Sequence, residues 1–116
     1  RTLNEKDRQA FLDASSLIWK VSTEEGRKLY GPDYTGMDKF VQVHADQATG
    51  DILCDRWHEG TGFLTHHLAL SLAFETSLRS VNKAVTTPYW DFTIDGEMIK
   101  NAGGGPSMLT EVNDFF

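Results

Sequence analysis

In "LNEKDRQAFLDASSLIWKVS" the apolar residues Ala10, Phe11, Ala14, Leu17, Ile18 and Val21 recur at steps of three and four, which gathers them on one helix face. The spacing predicts a helix over residues 5–21, with Asn4 as N-cap and Asp7 three residues on. "TEEGRKLYGPDYTG" is punctuated by Gly26, Gly31, Pro32 and Gly36, so it reads as a turn-rich link with room for one helical turn, joining elements rather than packing. In "MDKFVQVHADQA" the residues Met37, Val41, His44 and Ala48 follow at steps of four, three and four. They predict a second helix that aims His44 inward along with Met37 and Val41. "TGDILCDRW" then reads as a connector, with Thr49 and Gly50 as the stop.

From Phe63 to about Ser80 the pattern is apolar on nearly every side, with Leu64, Leu68 and Leu72 on one stripe and Leu70, Phe74 and Leu78 on another. A helix with so little polar face is expected in the middle of the core. "SVNKAVTTPYWDFTIDGE" returns to extended or irregular chain, because Pro88 disfavours helix at Thr87 and Asp95–Gly96 offers a turn. From Asn101 on, "GGGP" marks a loop. The fold class is mainly α, three helices with long irregular loops.

A length of 116 residues fits one domain, which at this size buries roughly 65% of the surface exposed by its unfolded chain. The hydrophobic share of 40% and charged share of 24% are those of a globular domain, and no run approaches the ~20 apolar residues of a membrane span. A formal charge of −6 with 11 scattered basic residues argues against a nucleic-acid partner. One cysteine, Cys54, excludes an internal disulfide framework. The start at Arg1, with no charged-then-apolar leader, is expected of a mature or trimmed form, and a secreted or vesicular location is favoured slightly.

The four histidines change this picture most. His44 points inward from one helix, His58 precedes a Gly60–Thr61–Gly62 turn, and His66 and His67 open the most apolar helix. A single buried histidine is more often a packed, hydrogen-bonded residue, and a helical domain with four such histidines and no metal is the plainest alternative. Several imidazoles converging in one core are easier to explain if a metal satisfies one nitrogen of each. Imidazoles without a cysteine pair or an HExxH glutamate suit copper or zinc. Neighbours on a helix diverge by about 100°. Only one of His66 and His67 is therefore expected to share an ion with His44 and His58.

The order His44, His58, "FLTHHLALSLAFE" and "TPYWDF" resembles the first copper-binding (CuA) half of the type 3 copper proteins, the tyrosinases, catechol oxidases and haemocyanins. In that family a histidine at a helix end is followed by one in a loop, a third in "FLPWHR…FE", and then "LPYWDW". The resemblance spans residues 3 to about 95 and implies the CuA half of a four-helix-bundle copper domain. It makes residues 1–116 a single partial domain lacking the CuB half. It makes His44, His58 and His67 the metal ligands, with His66 standing where the family has tryptophan, behind the ligands or packed in the helix. Leu68 replaces the family's arginine. Phe74, Glu75, Tyr89, Trp90 and Asp91 match scaffold positions, and Glu75 and Asp91 are either surface carboxylates or acceptors for a ligand imidazole or for Arg56. Cys54 lies four residues before His58, a spacing that favours a free buried thiol over the thioether found in some members.

The family uses O2 to oxidise phenols or catechols to o-quinones at a dinuclear copper site, with three histidines for each copper. This chain supplies one set, so 116 residues alone are expected to be inactive, and a second chain or a C-terminal half is expected to bring the CuB ligands. A fragment, a part of a longer protein and a divergent one-copper module compete to explain that shortfall, and a piece of a larger type 3 copper protein is favoured, because the helix at 63–80 is apolar all round and 116 residues offer too few helices to cover it. The other functional class is a non-catalytic relative, an O2 carrier or a structural and assembly module that reuses the fold.

Overall fold

The computed structural model describes residues 3–48, 55, 57, 58 and 60–101, apart from the Met98 side chain. It divides into two compact units, residues 5–87 and residues 1–4 with 88–116. Every regular element among the described residues is a helix.

The first unit begins with α1 (Glu5–Lys20), whose acidic first turn and terminal Lys20 suit the helix dipole. Its observed bounds fit the sequence pattern, and Ala14 and Ile18 are its buried residues. The next segment departs from expectation. Thr23–Tyr30 forms α2, capped by Ser22, whose hydroxyl accepts the Glu25 N–H at 3.3 Å.

Gly26, taken from the sequence as punctuation, is buried within α2 against the Tyr34 ring, where an added Cβ would lie 2.0 Å from the nearest ring carbon. The glycine is there for close approach. The chain leaves α2 at Gly31, whose φ of 97° favours glycine. Tyr34 is fully buried, and its hydroxyl donates to the carbonyls of Leu17 at 3.2 Å and Val21 at 2.9 Å, at the end of α1. Burial raises the Tyr34 pKa above its usual value, with Tyr30, Asp38 and Glu25 adding to the rise. A segment expected to link thus packs, because an aromatic ring satisfies α1's last turn while filling the core.

The third helix, α3 (Met37–Gln47), is tied to the start of α2 through Asp38. The Asp38 carboxylate accepts the Thr23 hydroxyl at 2.8 Å and the Thr23 N–H at 3.2 Å, and the same hydroxyl accepts the Gly36 N–H at 2.9 Å. Burial pushes the Asp38 carboxyl up, but the two Thr23 bonds together with the backbone N–H groups of Lys39 and Asp38 hold the pKa below its usual value. The inward face of α3 is centred one residue from the expected one: Phe40 is buried, edge-on to Phe74 with centroids 5.8 Å apart, while Val41 is exposed. Met37, Phe40 and His44 share a face at steps of three and four, so His44 stays on the inner side.

Helix α4 (Gly62–Val81) runs where the sequence placed it, but only one of its stripes is covered within this unit. Leu78 and Ser77 are fully buried, and Leu70, Phe74 and Val81 pack beside them against the core of Ala14, Ile18, Tyr34, Phe40 and Val85. Leu64, Leu68 and Leu72 are 63%, 59% and 67% exposed, contrary to a helix buried all round. The buried Ser77 hydroxyl donates to the Thr35 carbonyl at 2.7 Å and accepts the Thr35 N–H at 2.9 Å, which pins the α2–α3 loop to α4. None of the described helices is long and apolar enough to cross a membrane.

In the second unit the expected turn at Asp95–Gly96 lies inside a helix, α5 (Phe92–Asn101). Asp91 caps it, its carboxylate accepting the Thr93 hydroxyl at 2.5 Å and N–H at 3.3 Å, and the Trp90 indole N–H donates to Asp95. Capping outweighs one glycine, whose interior helix cost is about 1 kcal/mol. The connector at 49–54 with Cys54, together with Arg56 and the tail after Asn101, lies outside the described residues.

Candidate metal centre

Three segments of the first unit meet at one point. The last turn of α3 brings His44, the Asp55–His58 turn brings His58, and the second turn of α4 brings His67. Ring centroids lie 5.2 Å apart for His44 and His58, 6.0 Å for His44 and His67, and 5.8 Å for His58 and His67. One ring nitrogen from each falls within 4.8 Å of the other two. Metal–imidazole bonds of about 2.0 Å would draw three such nitrogens closer together than this limit, a small adjustment of an arrangement already gathered.

The outer nitrogens of His58 and His67 are engaged. His67 Nδ1 lies 2.7 Å from the Phe63 carbonyl oxygen, and His58 Nδ1 lies 2.7 Å from Asp55 Oδ2. Carbonyl and carboxylate oxygens only accept, so both rings carry their proton on Nδ1 and present the Nε2 lone pair. Asp55 is in turn held by the chain, its Oδ1 accepting the N–H groups of Trp57 and His58, each at 2.9 Å. The His58 ring hydrogen bond lowers the Asp55 pKa; burial opposes this, and the two backbone N–H groups add to the lowering.

Trp57 is the buried wall of the site. Its ring meets His44 and His67 edge-on, both at 5.3 Å, and stacks on His66 at 5.4 Å and 26°. Gly60, at φ 72°, turns the chain from His58 into α4. The geometry brings His44, His58 and His67 together and leaves His66 against the indole, outside the group. Glu75 accepts the Thr87 N–H at 3.0 Å, fastening the segment after α4, and the Asp91 bonds are the capping bonds of α5. Asp55 was not singled out from the sequence; its carboxylate accepts the N–H two residues on, at Trp57, which makes an Asx turn that brings it back to His58.

A set of three neutral imidazoles with no thiolate or carboxylate among them suits copper or zinc and accommodates copper in both common oxidation states. A family model described as the common central domain of tyrosinase matches residues 34–114, which include all three histidines. The chain belongs to the tyrosinase family. This tyrosinase-family chain is 39% identical over 66 residues to grixazone synthase of Streptomyces griseus subsp. griseus, a match covering 50% of the chain and 21% of that protein. It is 37% identical over 60 residues to tyrosinase of Streptomyces glaucescens, covering 50% of the chain and 22% of that protein. The matches thus cover about a fifth of the length of these curated relatives. No solved structure matches it.

Proposed function

We propose that this chain is the CuA half of a type 3 copper oxidase that uses O2 to convert phenols or catechols to o-quinones. His44, His58 and His67 hold one copper, and a further set of histidines from a second chain or from sequence beyond these residues holds its partner. The chain is then one partial domain of a larger protein. The observation that carries this reading is the triad itself, three imidazole nitrogens within 4.8 Å with the Nδ1 atoms of His58 and His67 turned outward to fixed acceptors.

Copper, when bound, supplies a reversible one-electron couple, and two ions together match the two electrons given up by a catechol. The protein's part is to present the nitrogens and shape the surroundings. Phe63 O and Asp55 hold two rings by their N–H groups, and the Trp57 indole closes one side against water. His58 is the exposed member of the group. The exposed Leu64, Leu68 and Leu72 stripe on the helix of His67 gives the CuB half an apolar surface to cover.

The test is catechol oxidation by the complete natural protein, followed by quinone absorbance. Quinone should form with O2 present, stop when copper is chelated away, and return when copper is restored. Full copper occupancy with no quinone would transfer the chain to the non-catalytic relatives, an O2 carrier or an assembly module.

A further inference from the structure

We infer that Asp55 is a positioning residue that sets the tautomer of His58 and thereby makes this exposed histidine a competent ligand; the inference rests on the copper reading above. His44 and His67 are carried by helices, but His58 sits in a turn and is the exposed member of the triad. An unrestrained imidazole in such a place would rotate freely and exchange its proton between the two nitrogens, presenting a lone pair from the right atom only part of the time.

Asp55 removes both freedoms. Its Oδ2 lies 2.7 Å from His58 Nδ1, so the ring proton stays on that side and Nε2 is left as the nitrogen with a lone pair to offer a metal shared with His44 and His67. The carboxylate cannot swing away, because Oδ1 accepts the N–H groups of both Trp57 and His58 at 2.9 Å. The same turn therefore fixes three things: the direction of the His58 ring, the site of its proton, and the entry of Trp57 into the wall between His44, His66 and His67. On the other side, α4 holds His67 by its own Phe63 carbonyl, so the turn uses a side chain for what the helix does with its backbone.

Asp55→Asn separates this role from simple turn formation. The amide oxygen would keep the two backbone N–H groups, which leaves the amide NH2 facing His58 Nδ1. That nitrogen must then accept, and the proton moves to Nε2, the atom needed for the metal. The first readout is long-range 1H–15N correlation spectroscopy on the metal-free complete protein. Wild type should show His58 protonated on Nδ1, and Asp55→Asn should shift it to Nε2. The second is Cu(I) affinity by competition with a chromophoric chelator, which should fall about 10- to 100-fold with little change in melting temperature. Asp55→Ala, which loses the turn bonds as well, should lower both.

An Nε2-protonated His58 in wild type, or an Asp55→Asn protein that binds Cu(I) as tightly as wild type, overturns the inference. Failure of the wild-type protein to bind Cu(I) would sink the copper reading instead. The tautomer measurement, made without metal, still decides the role of Asp55 in that case.

Discussion

Replacing Gly26 with alanine should cost about 2–3 kcal/mol, although alanine is the better helix former. The added Cβ would lie 2.0, 2.1 and 2.5 Å from three carbons of the Tyr34 ring, far inside van der Waals contact. The ring cannot yield cheaply: it is fully buried and its hydroxyl is anchored on the Leu17 and Val21 carbonyls. If the ring is displaced, its burial contributes a loss of about 2–3 kcal/mol, and the one hydroxyl proton, shared between the two carbonyls, about 1 kcal/mol. Alanine's helix propensity returns about 1 kcal/mol, which leaves the net at about 2–3 kcal/mol. Because Thr35 and Gly36 follow Tyr34 and lead directly into α3, the change should also loosen His44. The assay is urea unfolding of the complete protein, with Cu(I) affinity measured in parallel. An unfolding midpoint equal to or above wild type would refute the claim that Gly26 is required for the Tyr34 packing.

Three further outcomes follow from the same contacts. Ser77→Ala leaves the Thr35 N–H and C=O without their buried partner and should destabilise by about 2–3 kcal/mol in the same unfolding assay, whereas Thr76→Ala, on the exposed side, should not. The Tyr34 pKa is raised on folding, so the unfolded chain releases that proton first, and stability should decline as pH rises past 10. Tyr34→Phe should flatten this alkaline decline, measured as the difference between the two stability–pH curves. Asp38 is depressed on folding, so its contribution is present above the usual carboxylate pKa and is lost as pH falls through the lower folded value; Asp38→Asn should reduce the acid-side slope of urea stability.

Much of this molecule could be read in its sequence where periodicity was long and unbroken. Helices α1, α3 and α4 follow from apolar steps of three and four; the residues alone leave open which of His66 and His67 joins His44 and His58, and only the resemblance to the type 3 copper family picks His67, the one the structure brings to the other two. Short elements fixed by single contacts were not legible. Helix α2 depends on Ser22 capping and on a tyrosine four residues after the helix that needs a bare glycine, and α5 depends on the Asp91 cap overriding Gly96. The apolar pattern of α4 does not say which stripe its own chain covers, so Leu64, Leu68 and Leu72 were expected inside and lie exposed. Asp55 escaped notice because its role comes from a turn that carries its carboxylate back to His58, a geometry that spacing alone does not assign.

The central claim is that His44, His58 and His67, and not His66, hold copper, and copper content of the purified complete protein by mass spectrometry tests it most directly. Wild type and His66→Ala should carry the same copper per chain, and His44→Ala, His58→Ala and His67→Ala should each lose one equivalent while the remaining copper stays. Full copper in the His67→Ala protein, or a loss in His66→Ala as large as in His67→Ala, would contradict it.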